Sequence, residues 1–306
     1  MDNFKKVGLT ALGTALVAST SYAGEVGVSG TMKMVLTNEE KVDKGNGWTM
    51  NQSLIFSGSS DLDNGWTVSY MQNVVAGTTG NATLGIDMGD MGTLSFGAAG
   101  VDGPTHAWDD VMPTANEETW HGITGAKDGS DGLDGVNAFG YTVSLMDGLS
   151  FRGGYQPSSD TKVASSVDYG IQYTGVEGLD VGLAAGENED AANTIENTVL
   201  YAKYAIDSFT IGVQDNSVDT QEANADRDFR AYGISYAVSE DLSVSYGISK
   251  VEFENTSLED QESTGISFSY TTGGVTVSAT HNEMDNVAGT STNDKSGYEI
   301  NFVFAF

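Results

Sequence analysis

From residue 25 onward, apolar residues alternate with small or polar ones in short segments, a period of two that predicts β-strands. The first predicted strand runs from Glu25 to Thr37. Val26, Val28, Met32, Met34 and Leu36 share one face, and Ser29, Thr31 and Lys33 share the other. Trp48–Ser60, Trp66–Val74, Asn81–Gly89 and Thr93–Ala99 predict the next four. After a gap, the alternation resumes at Phe139, Tyr141, Val143 and Leu145. It continues through Leu149–Tyr155, Val167–Tyr173, Leu179–Leu183, Thr194–Ala205 and Phe209–Asn216. Tyr232–Val238, Leu242–Ile248, Ile266–Tyr270 and Val275–Ala279 follow, and the last strand sets Tyr298, Ile300, Phe302, Phe304 and Phe306 on one face. That makes sixteen predicted strands.

The connections alternate too. Those after even-numbered strands are tight turns such as Asp61–Gly65 and Asp147-Gly148, rich in Asp, Asn and Gly. Those after odd-numbered strands are mostly longer and polar, the link near Gly77–Gly80 excepted. Short turns at one end and long loops at the other describe an up-and-down antiparallel sheet. At this strand number the sheet is expected to close, because closure removes unpaired edges. The segment from Gly100 to about Gly135 interrupts the rhythm. It holds two of the three prolines and two of the three histidines. Loops this long in a compact domain are usually functional or disordered.

The two faces decide the solvent. One is Gly, Ser, Thr, Asn and Gln with occasional charge; the other is apolar and rich in aromatics near strand ends, among them Trp48, Trp66, Tyr155, Tyr173, Tyr204 and Phe209. Segments of about 10 residues that are apolar outward and polar inward, with aromatic girdles, predict a transmembrane barrel. A barrel of 16 strands is too wide for side chains to fill, so a water channel is expected.

Composition agrees with export. Residues 1–23 read as a secretory signal peptide: Lys5 and Lys6, an apolar run from Val7 to Ala18, then Ser21-Tyr22-Ala23. The barrel is expected over residues 24–306. The chain has no cysteine, and a large closed sheet needs no disulfides. Its formal charge of −30, from 13 basic and 43 acidic residues, excludes nucleic acid as a natural partner.

With its signal peptide, sixteen strands, long acidic segment after the fifth strand and a terminal strand ending in Phe306, the chain resembles a Gram-negative outer-membrane general porin, most similar to the alphaproteobacterial type. The resemblance implies an outer-membrane homotrimer in contact with lipid and lipopolysaccharide that passes small hydrophilic solutes. It implies that Tyr298, Phe302, Phe304 and Phe306 are read by the barrel-assembly machinery. It also implies that residues 100–135 fold inward and narrow the channel, with a short helix suited to the Thr114–Glu117 capping-box spacing.

Asp102, Asp109, Asp110, Glu117 and Glu118 would form the acidic side of that constriction. On the opposite side, Lys33 and Arg152 are the clear inward cations, with Lys203 and Arg230 ambiguous; Arg152 could equally anchor the loop. Asp87, Asp168 and Glu299 also take inward parity, so an acidic, cation-preferring lumen is expected. His281 takes the outward parity. No catalytic residues are assigned, because no acid–base or nucleophile partner is evident. No cofactor is expected beyond a possible structural calcium at Asp128, Asp131 and Asp134, whose spacing is not that of an EF-hand. The alternatives are a substrate-specific or monomeric gated outer-membrane channel, and an exported soluble acidic Gly-rich adhesin or calcium-binding β protein.

Overall fold

A strand with alternating faces must find a hydrogen-bonded neighbour on each edge, and in lipid no water substitutes for a missing one. The chain meets this demand by closing on itself. The computed structural model describes residues 26–42, 45–75, 78–130, 132–159, 164–189 and 194–306. The expected signal peptide lies outside them, as does Asp131.

Sixteen antiparallel strands form one closed barrel in which each pairs with its chain neighbours. They are β1 (Val26–Glu39), β2 (Trp48–Asp61), β3 (Thr67–Val75), β4 (Thr78–Asp87) and β5 (Thr93–Ala99). Next come β6 (Ala138–Met146), β7 (Leu149–Gln156), β8 (Ser166–Tyr173), β9 (Leu179–Glu189), β10 (Thr194–Ile206) and β11 (Phe209–Thr220). The circuit ends with β12 (Arg227–Ala237), β13 (Leu242–Phe253), β14 (Gln261–Thr272), β15 (Val275–Asp285) and β16 (Lys295–Ala305). Closure is β1 against β16, from Thr31 opposite Ala305 to Glu39 opposite Gly297.

A register slip of one residue would turn every side chain to the wrong face, and the observed register puts the apolar set outward. In β14, Gln261, Ser263, Gly265 and Ser267 are buried, whereas Glu262, Thr264, Ile266 and Phe268 are exposed. Trp48, Tyr155 and Tyr298 near one end, and Tyr173, Tyr204, Phe209 and Phe306 near the other, are exposed aromatics. These are the two girdles expected at the membrane interfaces.

The long segment between β5 and β6 folds inside the barrel. Among its described residues the only α-helix is α1 (Pro104–Ala107), a single turn. No helix forms at Thr114–Glu117, which corrects the capping-box expectation. The Thr114 hydroxyl donates to the Glu117 carbonyl at 2.8 Å and lies 3.1 Å from Ser267 Oγ on the wall, so wall contact replaces helical capping.

Glycines on the inner wall let this segment lie flush. A Cβ at Gly212 or Gly233 would meet Pro113, one at Gly247 would meet Thr119, and one at Gly170 would run into the Trp108 ring. Gly170→Val is therefore expected to lift Trp108 off the wall at a cost of about 1–3 kcal/mol. It should lower the unfolding temperature in detergent while circular dichroism still reports the full sheet at room temperature; an unchanged transition would rule out this close approach.

Candidate functional site

The segment's path can be followed by its wall partners. It starts at β7 and β8, where Arg152 donates to the Asp102 carbonyl at 2.7 Å and Asp168 accepts from Thr105 N–H and Oγ at 3.1 and 2.7 Å. Trp108 then meets Tyr201 of β10 edge-on at 5.9 Å. Val111 N–H donates to Gln214 of β11 at 3.3 Å, and Ala115 N–H to Ser245 of β13 at 2.9 Å. Asn116 donates to Thr280 of β15 at 2.8 Å.

The outward run ends at β16 and β1. His121 faces Glu299 at 3.2 Å, and Thr124 N–H and Oγ donate to the buried Glu39 at 2.7 and 2.6 Å. The return leg ties Lys127 to Gln261 of β14 and Ser130 to Asn197 of β10. Apolar packing adds to this. Trp108, Met112, Val199, Tyr201, Phe229 and Val251 form a buried cluster under the segment, with Trp120 edge-on to Phe229 at 5.0 Å.

The segment thus covers the inner wall from β7 round to β1, while on β2–β6 only Val101 at its start lies over Gly97 and Gly140. Inward-facing Asn51, Ser57, Ser59, Ser69, Thr142 and Ser144 remain exposed there. A polar passage runs between a covered wall and an open one.

The sequence matches the Gram-negative porin family over residues 8–306. The chain belongs to that family. It is an outer-membrane porin channel, and neither its family nor its fold is that of an enzyme. Its fold is similar to that of an anion-selective porin from Comamonas acidovorans, with TM-score 0.73 and 13% identity over 92% of this chain and 99% of that one. It is also similar to outer-membrane expressed OmpT of Vibrio cholerae, with TM-score 0.73 and 17% identity over 94% and 99%. A trimer form of the same OmpT aligns at TM-score 0.70 and 16% identity over 93% and 100%. A comparison with curated protein sequences gives no match.

Within the porin, the expected constriction residues separate by role. Lys33 faces inward and lies 3.7 Å from Glu117 and 3.2 Å from Glu299. Arg152 takes the anchoring alternative by bonding the loop backbone. Lys203 is inward and paired with Asp180 at 3.3 Å, while Arg230 is outward and paired with Asp215 at 2.6 Å. Asp168, Glu299 and Glu39 are inward carboxylates spent on holding the segment. Asp87 is inward and exposed at the tight-turn end, where it accepts from Gly89 N–H at 2.9 Å. Asp128 and Asp134, the described members of the calcium set, are exposed. His281 points outward between Ile266 and Tyr298.

Neither Tyr201 nor Phe229 was singled out from the sequence. The available signal was an aromatic ring out of step with its strand, since Phe229 takes the parity opposite to Tyr232 and Ile234. His121, by contrast, became important only through residues more than a hundred positions away.

Burial pushes the Asp109 carboxyl up to about 9, with Asp110 and Asp128 adding repulsion. Burial likewise raises Glu118 to about 7, helped by Asp110 and Glu117. A hydrogen bond to Glu299 raises the His121 imidazole above its usual range. A carboxyl with a raised pKa is neutral below that value and gains its charge above it, so the lumen becomes more negative as pH rises. The cation-to-anion permeability ratio is expected to climb in two steps, near pH 7 and near pH 9. Glu118→Gln should shrink the lower step, to which His121 also contributes, and Asp109→Asn should remove the upper, as read by reversal potentials in a salt gradient.

Proposed function

We propose that this porin is a passive, cation-preferring diffusion pore for small hydrophilic solutes and ions, assembled as a homotrimer. One observation carries the sign. The wall cations Lys33, Lys203 and Lys295 are each bound to a carboxylate, and Arg152 to a carbonyl, whereas Asp110 stands exposed. These four wall cations are locally neutralised while Asp110 is exposed, which favours positive solutes. The selectivity in the Comamonas acidovorans porin's description does not transfer, since lumen side chains rather than the fold set the sign.

Gln52 and Gln72 support the trimer reading. Both take the outward parity, opposite Met32 and Phe56, where polar side chains suit a protein neighbour better than lipid. The trimer form of OmpT is consistent with it. Outer-membrane lipid and lipopolysaccharide would surround the remaining outer face. The terminal strand with Tyr298, Phe302, Phe304 and Phe306 would present the assembly signal. Family membership and the exposed apolar outer face speak against a soluble adhesin.

Purified protein in planar bilayers should give stepwise conductance with a cation-signed reversal potential. Asp110→Lys changes the lumen by two charges. At about 8 Å in water each is worth roughly 0.5 kcal/mol, so cation permeability should fall about fivefold at low salt, with anion permeability moving the opposite way. Saturable block by one solute would instead favour a substrate-specific channel, and absence of steps would refute the pore reading.

A further inference from the structure

Four side chains close a ring where the inner segment meets β16 and β1. Lys33 Nζ lies 3.2 Å from Glu299 Oε1 and 3.7 Å from Glu117 Oε1. The other oxygens of the same carboxylates face the imidazole, with His121 Nδ1 3.6 Å from Glu117 Oε2 and Nε2 3.2 Å from Glu299 Oε2. A neutral imidazole has one N–H and one lone pair, so it cannot satisfy two carboxylate oxygens. A proton or a metal ion on one nitrogen would let the ring serve both carboxylates.

The distances suit a metal. Two donors on a tetrahedral ion with bonds of about 2.0–2.1 Å stand roughly 3.3 Å apart, close to the 3.2 Å between Nε2 and Glu299 Oε2. With the ion on Nε2, Nδ1–H is directed at Glu117, the carboxylate–histidine–metal arrangement that fixes ring orientation. All three donor groups offer ligand atoms within 4.8 Å of one another. The support is built in. Asn301 donates to Glu299 Oε1 at 2.7 Å, and Asn282 holds the His121 carbonyl at 2.9 Å. Lys33 occupies the Oε1 side and leaves the Oε2 side open. The His121 side chain is 39% exposed, so an ion can arrive from lumen water and keep water in its remaining positions.

We propose that His121 and Glu299, oriented by Glu117, form a lumen site for a borderline divalent cation of the zinc class. An imidazole in the donor set disfavours magnesium and calcium, which take oxygen ligands. With imidazole neutral, Lys33, Glu117 and Glu299 sum to one negative charge; the bound ion turns that to one positive charge. Occupancy therefore both narrows the passage and reverses its local sign. Only this conductance consequence rests on the pore reading; binding does not.

The test is calorimetric titration of the folded, detergent-solubilised chain with Zn²⁺ at pH 8 in excess Mg²⁺, beside single-channel recording. Folding of each variant is checked by its heat-modifiable gel migration. One saturable Zn²⁺ per chain is expected. Affinity should fall about 100-fold in His121→Asn and about 10-fold in Glu117→Gln, rise in Lys33→Gln and stay unchanged in His106→Asn. Zn²⁺ should lower wild-type conductance and its cation preference. Equal affinity in wild type and His121→Asn, or no saturable binding by folded wild type, overturns the site. Binding with no change in the current of an active channel overturns its place in the passage. A protein that binds but forms no channel instead refutes the pore reading alone.

Discussion

Every backbone donor and acceptor facing lipid must be satisfied by another strand, and the rest of this structure follows from that constraint. The ring closes at the seam between β1 and β16. There Gly30 N–H donates to the Phe306 carbonyl at 2.9 Å, and Phe306 N–H donates back to the Gly30 carbonyl at 3.0 Å. A side chain at position 30 would meet the Phe306 ring at 3.1 Å. Glycine and terminal aromatic close the ring together, and the period of two then sends every apolar residue of the adjoining strands outward.

Closure at this strand number leaves a lumen lined with Ser, Gln, Asn and Gly, whose polar groups need either water or protein. Residues 100–137 supply protein to one side only. Serines, glutamine and asparagines of β10–β16 bond the inner segment, glycines let it approach, and Trp108 and Trp120 seal it against inward rings of Tyr201 and Phe229. Polar residues of the opposite wall, among them Asn51, Ser57, Ser69 and Thr142, stay exposed. That one-sidedness turns a wide barrel into a passage with a defined charge, because the segment's own acids are held against one wall and Lys33, a wall cation near its far end, is spent on Glu117 and Glu299.

How much of this was legible depends on the range of the interaction. Strand positions, facing and the interruption after Ala99 rest on neighbours one or two residues apart and were read from the alternation, although β9, β12, β13, β14 and β15 run five or six residues further at their long-loop ends. Parity also placed Lys33, Arg152, Asp87, Asp168 and Glu299 on the inner wall. It did not separate a carboxylate that faces water from one that holds the loop. Asp87 is of the first kind, and Asp168, bonded to Thr105 across sixty-three positions, is of the second. Thr114 misled for the same reason: its local spacing suits a helix cap, but wall serines compete for its hydroxyl.

The sequence by itself determined a closed, sixteen-stranded, outward-apolar barrel with an acidic insertion, since periodicity and turn chemistry are local properties of the chain. Only the tertiary structure decided which charges meet. Lys33, Glu117, His121 and Glu299 come from the first strand, the insertion and the last strand. Closure of the ring and the inward path of the loop bring them together, and no spacing along the chain encodes that meeting.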